Sequence, residues 1–231
     1  MSTWALEPDN FQHNYQTMTA FDPDCKRCSR ISANLQAVRI RYPDYHARPV
    51  PAFGTAKPQL LIVGLAPGLH GANATGRPFT GDFAGILLYE TLYRYKFSNQ
   101  ATATAATDGL TLHNCRITNA VKCLPPDNKP TGEEINTCNA YLHAELSGMD
   151  GGLIILVLGR IAHNAVLKAL GLRQSAYVFA HGKSHKLENQ RWLVDSYHCS
   201  RYNTQTGRLT EKMFHEVFDT ILELQAVTGN T

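Results

Sequence analysis

Four apolar segments, Gln59 to Leu65, Cys115 to Val121, Leu153 to Gly159 and Trp192 to Tyr197, constrain this chain more than any other feature. Each is short and rich in Leu, Ile and Val, as strands buried on both faces are. Helical patterns fall between them. Phe83 to Tyr95 carries Ile86, Leu87, Tyr89 and Tyr93 at helical spacing, and Thr131 with Glu134 forms a capping box that opens a helix to about Leu146. A further helix runs from about Ile161 to Leu170 and stops at Gly171, a residue suited to the left-handed turn after a helix. Met213, Phe214, Val217, Phe218, Ile221 and Leu222 make a stripe on a last helix, and Ile31, Leu35 and Val38 mark one before the first strand.

Helices alternating with buried strands imply a parallel sheet joined by right-handed crossovers. The expected fold is a three-layer α/β/α sandwich around a four-stranded parallel sheet. No internal repeat is present, and Asn99 to Asp108, rich in Ala and Thr, is expected to be a mobile loop. With 231 residues, 43% hydrophobic and 18% charged, there is material for a real core in one domain spanning 1–231. Ligands of open parallel sheets bind outside the C-terminal strand ends, so the segments after Leu65, Val121, Gly159 and Tyr197 deserve the closest reading.

No apolar run approaches the roughly 18 residues of a membrane span, and "MSTWALEPDN" lacks a basic-then-apolar export pattern. A cytosolic protein is expected, in which thiols stay reduced. The formal charge of +3 is mild. Arg39, Arg41 and Arg48 cluster early, and His181, Lys183, His185, Lys186 and Arg191 cluster late. Such groups suit an anionic partner, and equally suit ordinary solvated faces.

Six cysteines in that compartment point to ligation or burial rather than disulfides. Cys25 and Cys28 form a C-x2-C pair, while Cys123 and Cys138 form a wider pair across a proline-rich loop. Four thiols with one tight pair suit a four-thiolate site that staples the N-terminal arm to the loop after the second strand. Zinc and an iron–sulfur cluster both accept that set, and spacing does not separate them. Cys115 and Cys199 are not expected to ligate.

The stretch "GLAPGLHGANATGRPFTGD", Gly64 to Asp82, follows the first strand directly. Its glycines let backbone approach a ligand and leave N–H groups free to donate. It is not a phosphate loop, because no Gly-Lys-Ser/Thr follows, and it does not fit the dinucleotide fingerprint. Together with "NAVKCLPPDNKPT", "LGRIAHNAVL", "SYHCSRYNTQTGRLT" and the four cysteines, it resembles the uracil-DNA glycosylase superfamily, most closely the iron–sulfur family 5 branch. The resemblance runs from about Cys25 to the C-terminal helix.

What the resemblance implies is base excision. Uracil, or another deaminated base such as hypoxanthine, is flipped out of double- or single-stranded DNA and its N-glycosidic bond is hydrolysed, leaving an abasic site. It implies a 4Fe–4S cluster on Cys25, Cys28, Cys123 and Cys138, and a monomer. It implies catalytic roles for Asp82, Asn128 and His198: the carboxylate for the attacking water and the sugar cation, the imidazole for the departing base. Gly64, Leu65, Ala66, Gly68, His70, Phe79 and Asn119 are the implied base-binding residues, Phe79 by stacking and Asn119 by reading the O4 and N3–H edge. Ser200, Arg201, Tyr202 and Arg208 are the implied DNA contacts.

Read without the resemblance, Asp82 is a helix N-cap ahead of Phe83, His198 a structural histidine and Phe79 a core residue. A zinc-stapled nucleic-acid-binding module without catalysis is then the alternative. The chain also departs from its relatives. Leu65 and Ala66 stand where others carry a polar catalytic residue, so the chemistry falls to Asp82, Asn128 and His198. Ala74 stands where Arg is frequent, and Cys199 where Pro or Val is.

Overall fold

The computed structural model describes residues 21–149 and 151–229. The decapeptide that opens the chain lies outside the described residues. In chain order the elements are α1 (Ser29–Arg41), β1 (Phe53–Gly54), β2 (Leu60–Gly64), α2 (Ala72–Thr75), α3 (Phe83–Arg94), β3 (Cys115–Asn119), α4 (Gly132–Ser147), β4 (Ile154–Leu158), α5 (Arg160–Ala169), β5 (Ser184–Lys186), β6 (Trp192–Ser196), α6 (Arg201–Gln205) and α7 (Glu211–Thr228). Among the described residues, no helix is long and apolar enough to cross a membrane.

The sheet has six strands in the order β1-β3-β2-β4-β6-β5, which corrects the expected count of four. The four expected strands are its inner, parallel part. The two additions, β1 and β5, pair antiparallel at the edges. With two and three residues, they are too short to show a periodicity in sequence.

Burial on both faces follows from the alternation along each inner strand. Leu60 and Ile62 of β2 pack with Leu88 and Leu92 of α3 and Phe214 and Phe218 of α7. Leu61 and Val63 face the other way, onto Leu142 and Leu146 of α4 and Val166 of α5. The helices form as the sequence dictates: Thr131 and Glu134 complete their capping box, and Asp82, Thr210 and Ser200 each cap the helix that follows them. Helix α1 buries Ile31, Leu35 and Val38 against Val121, Leu124 and Tyr141, and so joins the N-terminal segment to the turn after β3.

The connection from β2 leads to β3 on one side, whereas β4 pairs with β2 on the other. The C-terminal ends of β2 and β4 therefore flank a reversal in strand order, where open sheets leave a crevice. The segment 99–108 has no regular structure, but its end is anchored. Asp108 takes both prongs of the Arg77 guanidinium at 2.8 and 2.6 Å, which holds its carboxyl well below the usual range.

Candidate active site

At that reversal lies a pocket of about 310 Å³ lined by residues from four separate segments. The loop after β2 gives Leu65, Ala66, Gly68 and Phe79; the start of α3 gives Asp82; β3 and the turn beyond it give Asn119 and Asn128; the segment after β6 gives His198 and Ser200. The volume is in the range of small-ligand sites. Ala72 and Ala84 complete the wall and were not singled out from sequence. Their only sequence signal is that they are small residues within or next to the glycine-rich segment.

Asp82 is both a helix cap and a pocket group. Its Oδ1 accepts the Gly85 N–H at 2.8 Å, the bond expected of a cap. Burial raises its pKa, against the opposing effect of the Gly85 and Ala84 N–H groups. The other oxygen faces the glycine turn: a Cβ on Gly71 would stand 2.5 Å from Asp82 Oδ2, a clash that only glycine avoids.

Asn119 ends β3, in register with Gly64, and is 4% exposed. Its Oδ1 is buried and has no hydrogen-bond partner. Such an orphan is uncommon in a native interior, and this one belongs to a residue that lines the pocket. A Cβ on Gly64 would lie 2.4 Å from this Oδ1 and 2.6 Å from the Phe79 ring, so the glycine makes room for both side chains. Phe79 holds a left-handed backbone, φ 54°. For a bulky residue that conformation costs on the order of 1–3 kcal/mol and persists where the surroundings fix it.

His198 follows β6. Its ring stacks on Phe79 with centroids 5.9 Å apart, and its carbonyl accepts the Asn203 side-chain amide at 2.8 Å. Burial pushes its pKa down to about 4, so the imidazole is neutral at pH 7. Asn128 is exposed at the pocket mouth, with Asp127 and Asn128 both at positive φ in a tight turn.

Of the other expected base contacts, His70 departs. It does not line the pocket; it is exposed, its Nδ1 paired with the Tyr45 hydroxyl at 2.9 Å and its ring edge-on to Tyr42 and Tyr45. Two nearby rings draw it outward. Of the expected DNA contacts, Ser200 reaches the pocket and caps α6. Arg201, Tyr202 and Arg208 are exposed beside it, Arg201 over Phe83 and Arg208 over Tyr197.

The late basic cluster is not one patch. Lys183 and Lys186 are exposed, but Arg191 donates to the carbonyls at the end of α4, at 3.2 and 2.7 Å. His185 is buried on Asp195 at 3.2 Å, where His163 also meets the carboxylate at 2.7 Å. This buried trio, whose members are far apart in the chain, ties β5, α5 and β6 together at Asp195, three residues before His198.

The four candidate thiols line one cavity, with Ile31, Val121 and Tyr141 among its apolar walls. Cys28 precedes α1, Cys123 follows β3 and Cys138 lies in α4, accepting the Lys122 N–H at 3.2 Å. Burial, followed by the mutual repulsion of the thiolates, raises the pKa of Cys123. For Cys138, burial pushes it up to about 11. Cys115 and Cys199 are buried in the sheet core, far from solvent.

A family model described as the uracil DNA glycosylase superfamily matches residues 51–222. The type-5 uracil-DNA glycosylase of Thermus thermophilus is 43% identical over 219 residues, covering 93% of this chain and 96% of that protein. The type-5 uracil-DNA glycosylase of Pyrobaculum aerophilum is 39% identical over 198 residues, covering 84% and 86%. A solved structure of Pedobacter heparinus SMUG2 aligns over 94% of this chain and 96% of its own at 12% identity and a TM-score of 0.45.

Proposed function

This chain belongs to the uracil DNA glycosylase superfamily, and on that premise we propose that it excises uracil from DNA by hydrolysing the N-glycosidic bond. The observation that carries the reading is the convergence of Asp82, Asn119, Asn128 and His198 on one pocket. A base inside a duplex is out of reach of any such pocket, so the nucleotide is first extruded, at a cost of a few kcal/mol that is smallest for a mispaired or unpaired base.

Breaking the C–N bond develops positive charge on the sugar and negative charge on the base. Asp82, in its carboxylate form, answers the first. Its Oδ1 is occupied by the helix N–H, leaving Oδ2 to orient a water and accept its proton as the water attacks the sugar carbon. The neutral His198 answers the second by donating a hydrogen bond to the base oxygen on which charge accumulates. A neutral donor suits this task, since it stabilises the anion without being neutralised by it. Asn128, at the mouth, supports the reacting centre.

Recognition rests on Asn119 and Phe79. The free Oδ1 of Asn119 accepts a hydrogen bond from the N3–H of uracil; cytosine carries no proton there, so its N3 lone pair would face the same oxygen. The ring of Phe79 stacks on the base. Arg201, Tyr202 and Arg208 meet the DNA beside the pocket.

The four thiols line one cavity and suit a 4Fe–4S cluster, which takes four thiolates and whose positive charge would offset their mutual repulsion. Ligation by Cys25, Cys28, Cys123 and Cys138 would tie the start of α1, the turn after β3 and α4 together.

The test is incubation with duplexes carrying uracil or hypoxanthine, followed by alkali to cut at abasic sites. Cleavage of uracil-containing strands is expected. Binding without cleavage would favour a non-catalytic module instead.

A further inference from the structure

His70 is a motif residue that the base pocket does not use, and its surroundings form a second recess. Tyr42 and Tyr45 stack with centroids 4.7 Å apart and planes 12° apart, with the edge of His70 against both. The segment is fixed to the glycine-rich loop: His46 N–H donates to the Ala74 carbonyl at 3.0 Å and Ala47 N–H to the Asn73 carbonyl at 2.9 Å. Against this platform, between α1 and the turn at Pro125, lies a groove of about 430 Å³.

The groove opens beside the base pocket. Asn128 lines both, and Leu69 of the groove follows Gly68 of the pocket. Its walls are Tyr42, Leu69 and Leu124 and its rim carries Asn34, Arg41 and Asp127. Tyr45 covers one face of the Tyr42 ring and the exposed Arg41 guanidinium lies over the ring 5.4 Å from its centroid, so a base stacked on Tyr42 takes the place that Arg41 holds. The Nδ2 of Asn34 is bonded to the Leu124 carbonyl at 3.2 Å, which leaves its Oδ1 as an acceptor. Asp127 stands on the same rim, so Arg41 is the group that holds a phosphate against its repulsion. Flat apolar walls, polar amides at the edge and one cation match a nucleobase with its phosphate, and match neither a bare anion nor an aliphatic chain.

We propose that this groove is a second nucleobase site, which takes the base next to the extruded one on the same strand, stacked on the Tyr42–Tyr45 platform with its phosphate towards Arg41. The proposal rests on the excision reading above and deepens it: the enzyme grips two consecutive nucleotides. A neighbouring base that is already unpaired then binds without further unstacking, so uracil in single-stranded or mismatched stretches is favoured over uracil in a regular duplex.

The experiment measures binding by anisotropy, using a short single-stranded oligonucleotide with 2′-fluoro-deoxyuridine, which resists cleavage. Three forms are compared: intact, lacking the base on the 5′ side, and lacking it on the 3′ side. Loss of the base on one side only is expected to weaken binding roughly 5- to 150-fold, the range for one base-stacking aromatic. Tyr42→Leu should weaken the intact form by a similar factor and abolish the difference among the three forms, whereas Tyr42→Phe should restore it. If the parent protein binds all three forms equally, the groove is not a base site, whatever the variants do. If instead the parent fails to cut ordinary uracil strands, the excision reading itself has failed.

Discussion

Asp82 is at once the cap of α3 and the proposed base, and two substitutions separate those tasks. Asn ranks with Asp as an N-cap, so Asp82→Asn retains the bond to Gly85, whereas Asp82→Ala removes it at about 0.5–2 kcal/mol. For a domain of this size that is roughly 1–8 °C in Tm between the two variants. The sign of the charge effect is fixed as well. Burial raises the folded-state pKa of Asp82, so its contribution to stability is complete below the unfolded-state value and is lost as pH rises through the folded-state value. Above the folded-state value the ionised carboxylate is therefore a cost, and there Asp82→Asn should melt at or above the parent. Catalysis should move the other way: removal of a general base costs about 10²- to 10⁴-fold, or roughly 2.7–5.4 kcal/mol of barrier. Single-turnover excision of uracil from a labelled duplex, with Tm and DNA affinity measured alongside, reads all three quantities. An Asn variant that melts normally and cuts at the parental rate would refute the role of the carboxylate.

His198 is neutral because burial takes its pKa down to about 4, so excision between pH 5.5 and 8 should show no inflection belonging to it; a step near 6.5 that vanishes in His198→Gln would overturn the neutral-donor assignment. The same depression means that stability is fully present above the unfolded-state pKa and declines as pH falls from about 6.5 towards 4, which acid melts of parent and His198→Gln would compare. Asn119→Leu removes an acceptor that has no partner in the fold, so uracil excision should fall by about tenfold or more while Tm holds or rises, as unpaired buried polar groups cost about 1–3 kcal/mol; a drop in Tm with intact excision would show the opposite. Cys123→Ser should lower iron per protein, bleach the visible absorbance of a cluster and lower Tm, and a variant with unchanged iron and Tm would exclude that thiol from the site.

The layers were legible before the structure because hydrophobic spacing is a local property. Ile31, Leu35 and Val38 are buried and the Thr131 capping box is bonded as their spacing implies, and of the stripe on α7 Phe214, Val217, Phe218 and Ile221 are buried while Met213 is half-buried and Leu222 exposed at its margin. The edge strands were not legible, since three residues such as Ser184 to Lys186 carry no period. The outward turn of His70 and the inward turn of His185 were missed for a related reason: each depends on partners, Tyr45 and Asp195, brought near only by folding. Asp82 was legible twice over, as cap and as acid, and sequence offered no way to see that the two are compatible.

By itself the sequence determined which segments are buried strands, which are helices, and that glycine, amide, imidazole and carboxylate groups stand at the strand ends. Only the tertiary structure decided that Asp82, Asn119, Asn128 and His198 face one volume and that His70 does not. The physical reason is strand order. Seating β2 between β3 and β4 brings loops more than a hundred residues apart to one crevice, and that order is set by long-range pairing and burial that no local pattern encodes.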